Sequence, residues 1–117
     1  MEILFDVDSG QFRCENKGLI FVWDEQPAED VRDVIDMFTE NYYSHMDDIV
    51  HFMLTDLQQV YGDISVEIVK DKLGKPIIDY ENGRVTYTEQ SFDDIHIFEF
   101  EFLDDAFEKL QYFSIDG

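Results

Sequence analysis

Few side chains in this sequence are of the kinds that carry out catalysis. The histidines are His45, His51 and His96, and Cys14 is the only cysteine. A nucleophilic thiol needs a neighbouring base and an electropositive setting. Next to Cys14 in the sequence, only Arg13 supplies positive charge. We therefore expect no catalytic residue, and we interpret Cys14 as unreactive and His96 as a structural or surface histidine.

The histidine spacing also bears on metal binding. His45 and His51 are six residues apart, whereas two ligands on one helix face are typically four apart. A site that combines one of these histidines with Asp47 or Asp48 remains possible in space. A single cysteine allows neither a cysteine metal cage nor an internal disulfide. We predict no metal ligands, no cofactor and no metal requirement for folding.

The sequence contains no complete ligand-binding loop signature. The segment Asp6-Val7-Asp8-Ser9-Gly10 resembles the start of a calcium loop. Its glycine comes one place too early, and Lys17 stands where the loop needs a glutamate. The six glycines are isolated turn or cap positions, so no phosphate-binding glycine loop is expected. Neither signature predicts a ligand site.

One acidic pattern rises above the background. Residues 24–56 contain ten acidic residues and one basic residue, Arg32. Four acids recur at steps of four, three and four, which places them on one helix face: Glu29, Asp33, Asp36 and Glu40. The opposite face would be the apolar stripe of Val31, Ile35 and Phe38. Like charges at this spacing repel, and a partner's Lys and Arg would relieve that repulsion. We predict that these four acids bind a partner. The alternative is a solvated face opposite a buried stripe.

The charge balance limits the partners. Eight Lys and Arg stand against 28 Asp and Glu, for a net charge of −20. Direct nucleic-acid binding is not expected, because phosphate contacts need basic residues. Anionic membranes are disfavoured for the same reason, whereas a basic protein would be attracted. The alternative is that the charge only keeps the protein in solution.

The first elements should be β-strands. Residues 3–8 alternate in polarity, and Ser9-Gly10 and Asn16-Lys17-Gly18 predict turns. The run Leu19–Trp23 is apolar at both parities, which is typical of a central strand covered on both faces.

The middle of the chain should be helical. Pro27 suits the first turn of a helix that breaks at Asn41-Tyr42-Tyr43. Ser44 and Asp47 resemble a capping box for a second helix that stops at Gly62. A continuous bent helix is the alternative. A short third helix should span about residues 65–73.

The last third should return to β-structure. Asn82-Gly83 is the strongest hairpin signal in the chain, and it lies between two short apolar runs. Residues 95–102 form a further strand whose parity switches after Ile97, indicating a bulge or two buried faces. Residues 110–115 form the last strand. The prediction is an α+β fold, with two or three helices on one face of an antiparallel sheet, in the order β-β-β-α-α-(α)-β-β-β-β.

Length and composition predict a single domain over residues 1–117. No run approaches the ~18 apolar residues of a membrane span. The start is acidic where a secretory signal would be basic. These features, together with a single cysteine that cannot form an internal disulfide, predict a cytoplasmic protein.

The C-terminal half resembles a group of small bacterial domains of unknown function. The resemblance rests on Leu73-Gly74-Lys75-Pro76-Ile77-Ile78, the turn Asn82-Gly83, Asp94-Ile95-His96-Ile97 and the closing Phe113-Ser114-Ile115-Asp116-Gly117. In these domains a His-x-Ile strand and a terminal Ile-x-Gly follow two helices. Such families are grouped with the immunity proteins of bacterial polymorphic toxin systems. The resemblance implies a cytoplasmic partner of a toxin, and it carries no catalytic motif.

The sequence therefore predicts a non-enzymatic protein-binding domain, with an immunity protein as the preferred form. One alternative is a nucleic-acid mimic that occupies a DNA- or RNA-binding protein. Another is a small enzyme or ligand-binding protein, in which His96 or Cys14 would lie in a cleft beside perturbed carboxylates.

Overall fold

The computed structural model describes residues 2–117 as a seven-stranded sheet with three helices. The elements follow in this order: β1 (Leu4–Asp6), β2 (Gln11–Asn16), β3 (Leu19–Trp23), α1 (Val31–Ser44), α2 (Met46–Tyr61), α3 (Val66–Lys72), β4 (Ile77–Asp79), β5 (Arg84–Tyr87), β6 (Ile97–Phe102) and β7 (Leu110–Asp116). The predicted α+β class is confirmed. Within residues 2–117, no helix combines the length and the hydropathy needed to cross a bilayer.

The strands lie in the sheet in their chain order, from β1 to β7. Neighbours are antiparallel except β3 and β4, which are parallel, with Phe21 opposite Ile78. The predicted antiparallel sheet is therefore confirmed for the other five strand pairs, and this one pair is the exception. The reason is the connection: the three helices carry the chain back to the end of the sheet where β3 began.

All three helices pack on one face of the sheet. The strand register aligns Cys14, Phe21, Ile78, Val85 and Phe100 in one row across β2 to β6. These side chains form one buried cluster with residues of the helices, namely Ile35, Phe38, Tyr42, Ile49, Val50, Met53, Leu57 and Val69. Helices on a single face were predicted, and the apolar stripes of α1 and α2 account for it.

All five residues of β3 are buried, as predicted for a central strand. The predicted cover on both faces is confirmed, although Ile20 and Val22 lie outside the core cluster that includes the helices. Register places Arg13 and Asp79 on either side of Val22. On the face without helices, β3 is therefore flanked by residues of β2 and β4, and no further layer of the described chain packs there.

Helix α1 differs from its prediction at both ends. It begins at Val31, so Pro27 lies in the segment before it. It continues through the predicted break at residues 41–43. Tyr42 is buried in the core, and the Asn41 side chain donates to the Asp105 carbonyl at 3.0 Å. These tertiary contacts hold the chain helical where the local sequence indicates a break.

The junction between α1 and α2 is a single residue, His45. The predicted capping box is wrong, because the Ser44 hydroxyl donates back to the Asn41 carbonyl at 3.2 Å and caps nothing in α2. The short third helix is confirmed. The Ser65 hydroxyl accepts from the Ile68 amide at its start, and Gly74 follows its end with φ +73°.

A β-bulge, one of the two features predicted for the strand of residues 95–102, is present, but it lies in the neighbouring strand β7. Strand β6 alternates regularly, with Phe98, Phe100 and Phe102 buried. The register shifts between Glu99 and Glu101, where β7 carries one extra residue. Tyr112 lies in this bulge with φ +55°. Ile95 precedes β6, so the parity switch there marks the end of a loop.

Candidate functional site

The outward face of α1 carries three of the four predicted partner-binding acids. Asp33, Asp36 and Glu40 are exposed, and Val31, Ile35 and Phe38 are buried on the opposite side. Glu29 is also exposed, but it lies in the turn before the helix. The expectation that all four acids share one helix is therefore corrected for Glu29. The cause is that the helix begins at Val31.

Two large side chains lie exposed on the same face of α1. Met37 is 44% exposed and Tyr43 is 47% exposed. They lie four residues after Asp33 and three after Glu40, so helical periodicity places them among the acids. The Tyr43 hydroxyl donates to the Lys17 carbonyl, which holds the ring against the β2–β3 turn. We call this set the α1 surface: Asp33, Asp36, Met37, Glu40 and Tyr43.

The acids of the α1 surface are not neutralised within the described chain. The ion pairs formed among residues 2–117 take their carboxylates from Glu15, Asp47, Glu67, Asp79, Asp93 and Glu99. Among the described residues, one side-chain hydrogen bond reaches the acids of the α1 surface, from the Asn16 amide to Asp36 at 3.5 Å. The surface therefore presents negative charge around two large exposed side chains, Met37 and Tyr43.

A second cluster lies at the far end of α2, where the loop before β6 passes Tyr61. The Tyr61 hydroxyl donates to Asp93 Oδ2 at 2.5 Å, and His96 Nδ1 donates to the same oxygen at 2.6 Å. Asp93 Oδ1 accepts from the backbone amides of Ile95 and His96 and from Gln90 Nε2. The Asp93 carboxylate is thus the common acceptor of the hydrogen bonds that hold this loop.

These contacts decide the electrostatics of the cluster. Desolvation acts to raise the pKa of Asp93, but hydrogen bonds from Tyr61, His96 and Gln90 outweigh it and hold that pKa well below its usual value. Burial, and then the hydrogen bond to Asp93, raise the pKa of Tyr61. Asp93 is therefore ionised and Tyr61 is protonated across the ordinary pH range.

The cluster has part of the geometry of a general base. A carboxylate on Nδ1 orients a histidine and leaves Nε2 for a proton. An open cavity of about 430 Å³ adjoins it, lined by residues that include Thr88, Asp94 and Ile97. A base also needs a hydroxyl, thiol or water to act on. Among the described residues, His96 makes no hydrogen bond to a Ser, Thr or Cys side chain.

The contacts of Gln90 indicate that this cluster holds the loop before β6 in place. Its side chain is buried and donates to the carbonyls of Asp93 and His96. It also accepts from the amides of Phe92 and Asp93. The Ser91 amide of this loop donates to the Lys72 carbonyl of α3 at 2.8 Å. Together, Gln90 and Asp93 satisfy further backbone groups of the loop.

The other chemical candidates are apart from this cluster. Cys14 is buried in the core, and burial raises the pKa of its thiol, which disfavours the nucleophilic thiolate. His45 and His51 each bond a carbonyl one turn earlier on their helices, those of Asn41 and Asp47. Within residues 2–117, no three His, Cys, Asp or Glu side chains are placed to hold a metal ion.

The sequence patterns did not single out Asp93 or Tyr61 as site residues. The signal that was present is Gln90-x-x-Asp93-x-x-His96, three hydrogen-bonding side chains at equal steps in a segment without periodic apolar residues. Such a segment must satisfy its backbone groups with side chains.

Comparisons of the chain with protein-family models, with curated proteins and with solved structures find no match.

Proposed function

We propose that this chain is a non-enzymatic, cytoplasmic protein-binding domain that engages a basic protein partner through the α1 surface. The observation that carries the proposal is the pairing of exposed Met37 and Tyr43 with the acids Asp33, Asp36 and Glu40. Protein–protein interfaces usually have large apolar side chains at their centre and a polar rim around them.

The charge of the whole chain supports the same partner. With a net charge of −20, the protein attracts basic proteins over distances beyond contact. The acids of α1 determine where such a partner binds, and Met37 and Tyr43 lower its dissociation rate. The resemblance to immunity proteins suggests the form of the proposal that we prefer, in which the partner is a bacterial toxin.

A nucleic-acid mimic would use the same charge differently. It would need acids spaced like phosphates along an extended surface. On α1 the acids alternate with Met37 and Tyr43, which favours a protein surface over a phosphate imitation.

The test compares two variants of equal charge. The first neutralises the predicted acids as Glu29→Gln, Asp33→Asn, Asp36→Asn and Glu40→Gln. The second neutralises four exposed acids elsewhere, as Asp71→Asn, Glu81→Gln, Glu89→Gln and Asp94→Asn. A basic protein captured from a bacterial extract by the unmodified chain is purified, and its association rate with each form is measured at several salt concentrations.

We expect the first variant to associate on the order of tenfold more slowly at low salt, and the second to change far less. Rising salt should remove the difference, because exposed charges are screened beyond about 8 Å at physiological ionic strength. Met37→Ala should mainly raise the dissociation rate. Equal rates for the two charge variants would show that the acids of α1 are only solvated.

A further inference from the structure

We propose that the free edge of β1 binds an extended segment of a partner protein as an added strand, and that this segment combines apolar residues with Lys or Arg. The proposal concerns the opposite side of the fold from the Tyr61–Asp93–His96 cluster. It does not rest on the α1 surface.

The two edges of the sheet differ in regularity. At one edge, β7 contains a bulge at Tyr112, whose φ of +55° interrupts the strand. Bulges of this kind prevent another strand from pairing. At the other edge, β1 pairs with β2 in an unbroken register, from Leu4 opposite Arg13 to Asp6 opposite Gln11. Among the described strands, β1 is the edge that presents regular backbone groups outward.

The β1 edge is also apolar where an edge strand is usually charged. In β1, Leu4 is 58% exposed and Phe5 is exposed as well, and Val7 is exposed in the turn that follows. Phe5 packs edge-on against Phe12 with ring centroids 5.0 Å apart, so one side of its ring is supported and the other remains open. Proteins normally protect such an edge with lysine, proline or a covering loop.

A cavity adjoins β1 on each face of the sheet. Leu4 pairs with Arg13, whose neighbour Cys14 points into the core, so Leu4 lies on the face without helices. The cavity on that face measures about 540 Å³ and includes Leu4, Phe5 and Arg13 in its lining. The cavity on the helical face measures about 560 Å³ and includes Ile3, Pro27 and Arg32 in its lining.

This arrangement matches the side-chain geometry of a strand. Successive side chains of a strand point to opposite faces of its sheet. An eighth strand beside β1 would therefore extend its side chains alternately toward the two cavities. Main-chain hydrogen bonds would supply affinity and the cavities would select the side chains, as in other cases of strand addition.

Charge decides between a partner segment and a second copy of the chain. Acids outnumber cations in the two cavity linings, with Glu2, Asp6, Glu15 and Glu29 against Arg13 and Arg32. Lys75, outside the linings, pairs with Glu15, so the remaining excess is small and the charge of the whole chain adds to it. Pairing of β1 with its own copy would bring these acids together between two chains of charge −20. A segment with Lys or Arg beside its apolar residues would reverse that repulsion.

The experiment uses the intact chain and a synthetic peptide of alternating valine and lysine, followed by amide resonances in NMR. A second peptide has the same sequence with N-methylated backbone amides, so it keeps its charge but loses its main-chain donors. We expect saturable binding of the first peptide, with the largest shifts at residues 3–7, and at least tenfold weaker binding of the second.

Leu4→Ser supplies the variant, and Leu103→Ser supplies its control, since Leu103 is 59% exposed away from this edge. Both leucines are exposed, so neither change should unfold the protein. Leu4→Ser should weaken binding of the peptide, and Leu103→Ser should leave that binding unchanged. Equal binding of the two peptides, shifts confined to the α1 acids, or no saturable binding would overturn the proposal. Dimers that form through β1 without peptide would also overturn the proposal, because the occupant of the edge would then be a second copy of the chain.

Discussion

The hydroxyl oxygens of Tyr42 and Tyr87 lie 2.6 Å apart in the core and join α1 to β5. Both side chains are buried, and burial raises the pKa of each. The pair therefore stays protonated, with one hydroxyl donating to the other. A polar contact placed this deeply links the helical layer to the sheet, and among residues 2–117 neither hydroxyl has another side-chain hydrogen-bond partner.

Tyr42→Phe should lower the free energy of unfolding by about 1–3 kcal/mol, because it leaves the Tyr87 hydroxyl buried without a partner. Tyr87→Phe should act similarly. The double variant should lose less than the sum of the two, since it removes both polar groups together. Chemical denaturation of the four forms measures this coupling. Strictly additive losses would show that the hydroxyl contact contributes nothing.

Asp93→Asn should destabilise the protein and disorder the loop before β6, because an amide cannot accept all the donors that converge on the carboxylate. The pKa of Asp93 is lowered in the folded protein. Its contribution to stability is therefore complete above the unfolded value of about 3.9 and is lost as pH falls below it.

The melting temperature of Asp93→Asn should thus lie below that of the unmodified protein at neutral pH, and the difference should shrink on acidification. Asp94→Asn, at an exposed neighbour, is the control. A melting temperature of Asp93→Asn that matches this control at neutral pH would contradict a structural role for the carboxylate.

Tyr80 should make the protein sensitive to alkali. Burial, and then the hydrogen bond to Asp105 at 2.7 Å, raise the pKa of Tyr80 to about 12. An unfolded tyrosine ionises near pH 10. The stability that this group contributes is therefore complete below about pH 10 and is lost as pH rises toward 12. Tyr80→Phe should reduce that loss in denaturation curves measured across this range. An unchanged alkaline profile would show that Tyr80 does not contribute to it.

Local pattern predicted most of the secondary structure. The stripe of Val31, Ile35 and Phe38 predicted the buried face of α1, and the Asn82-Gly83 turn predicted the β4–β5 hairpin, in which Gly83 has φ +66°. These features are readable because helix and strand periods depend on residues a few positions apart. The exposure of Asp33, Asp36 and Glu40 follows from the same periodicity.

What the amino-acid order determined by itself was composition and local period: an acidic chain, an apolar β3, a helical middle of two or three helices and a strand-rich end. Only the tertiary structure decided that β4 lies parallel to β3, that α1 continues past Tyr42, and that Tyr61 meets Asp93 and His96. The physical reason is separation along the chain. Tyr61 and Asp93 are 32 residues apart, and Asn41 and Asp105 are 64 apart. Contacts of this range depend on how the helical layer is placed on the sheet, which no local period specifies.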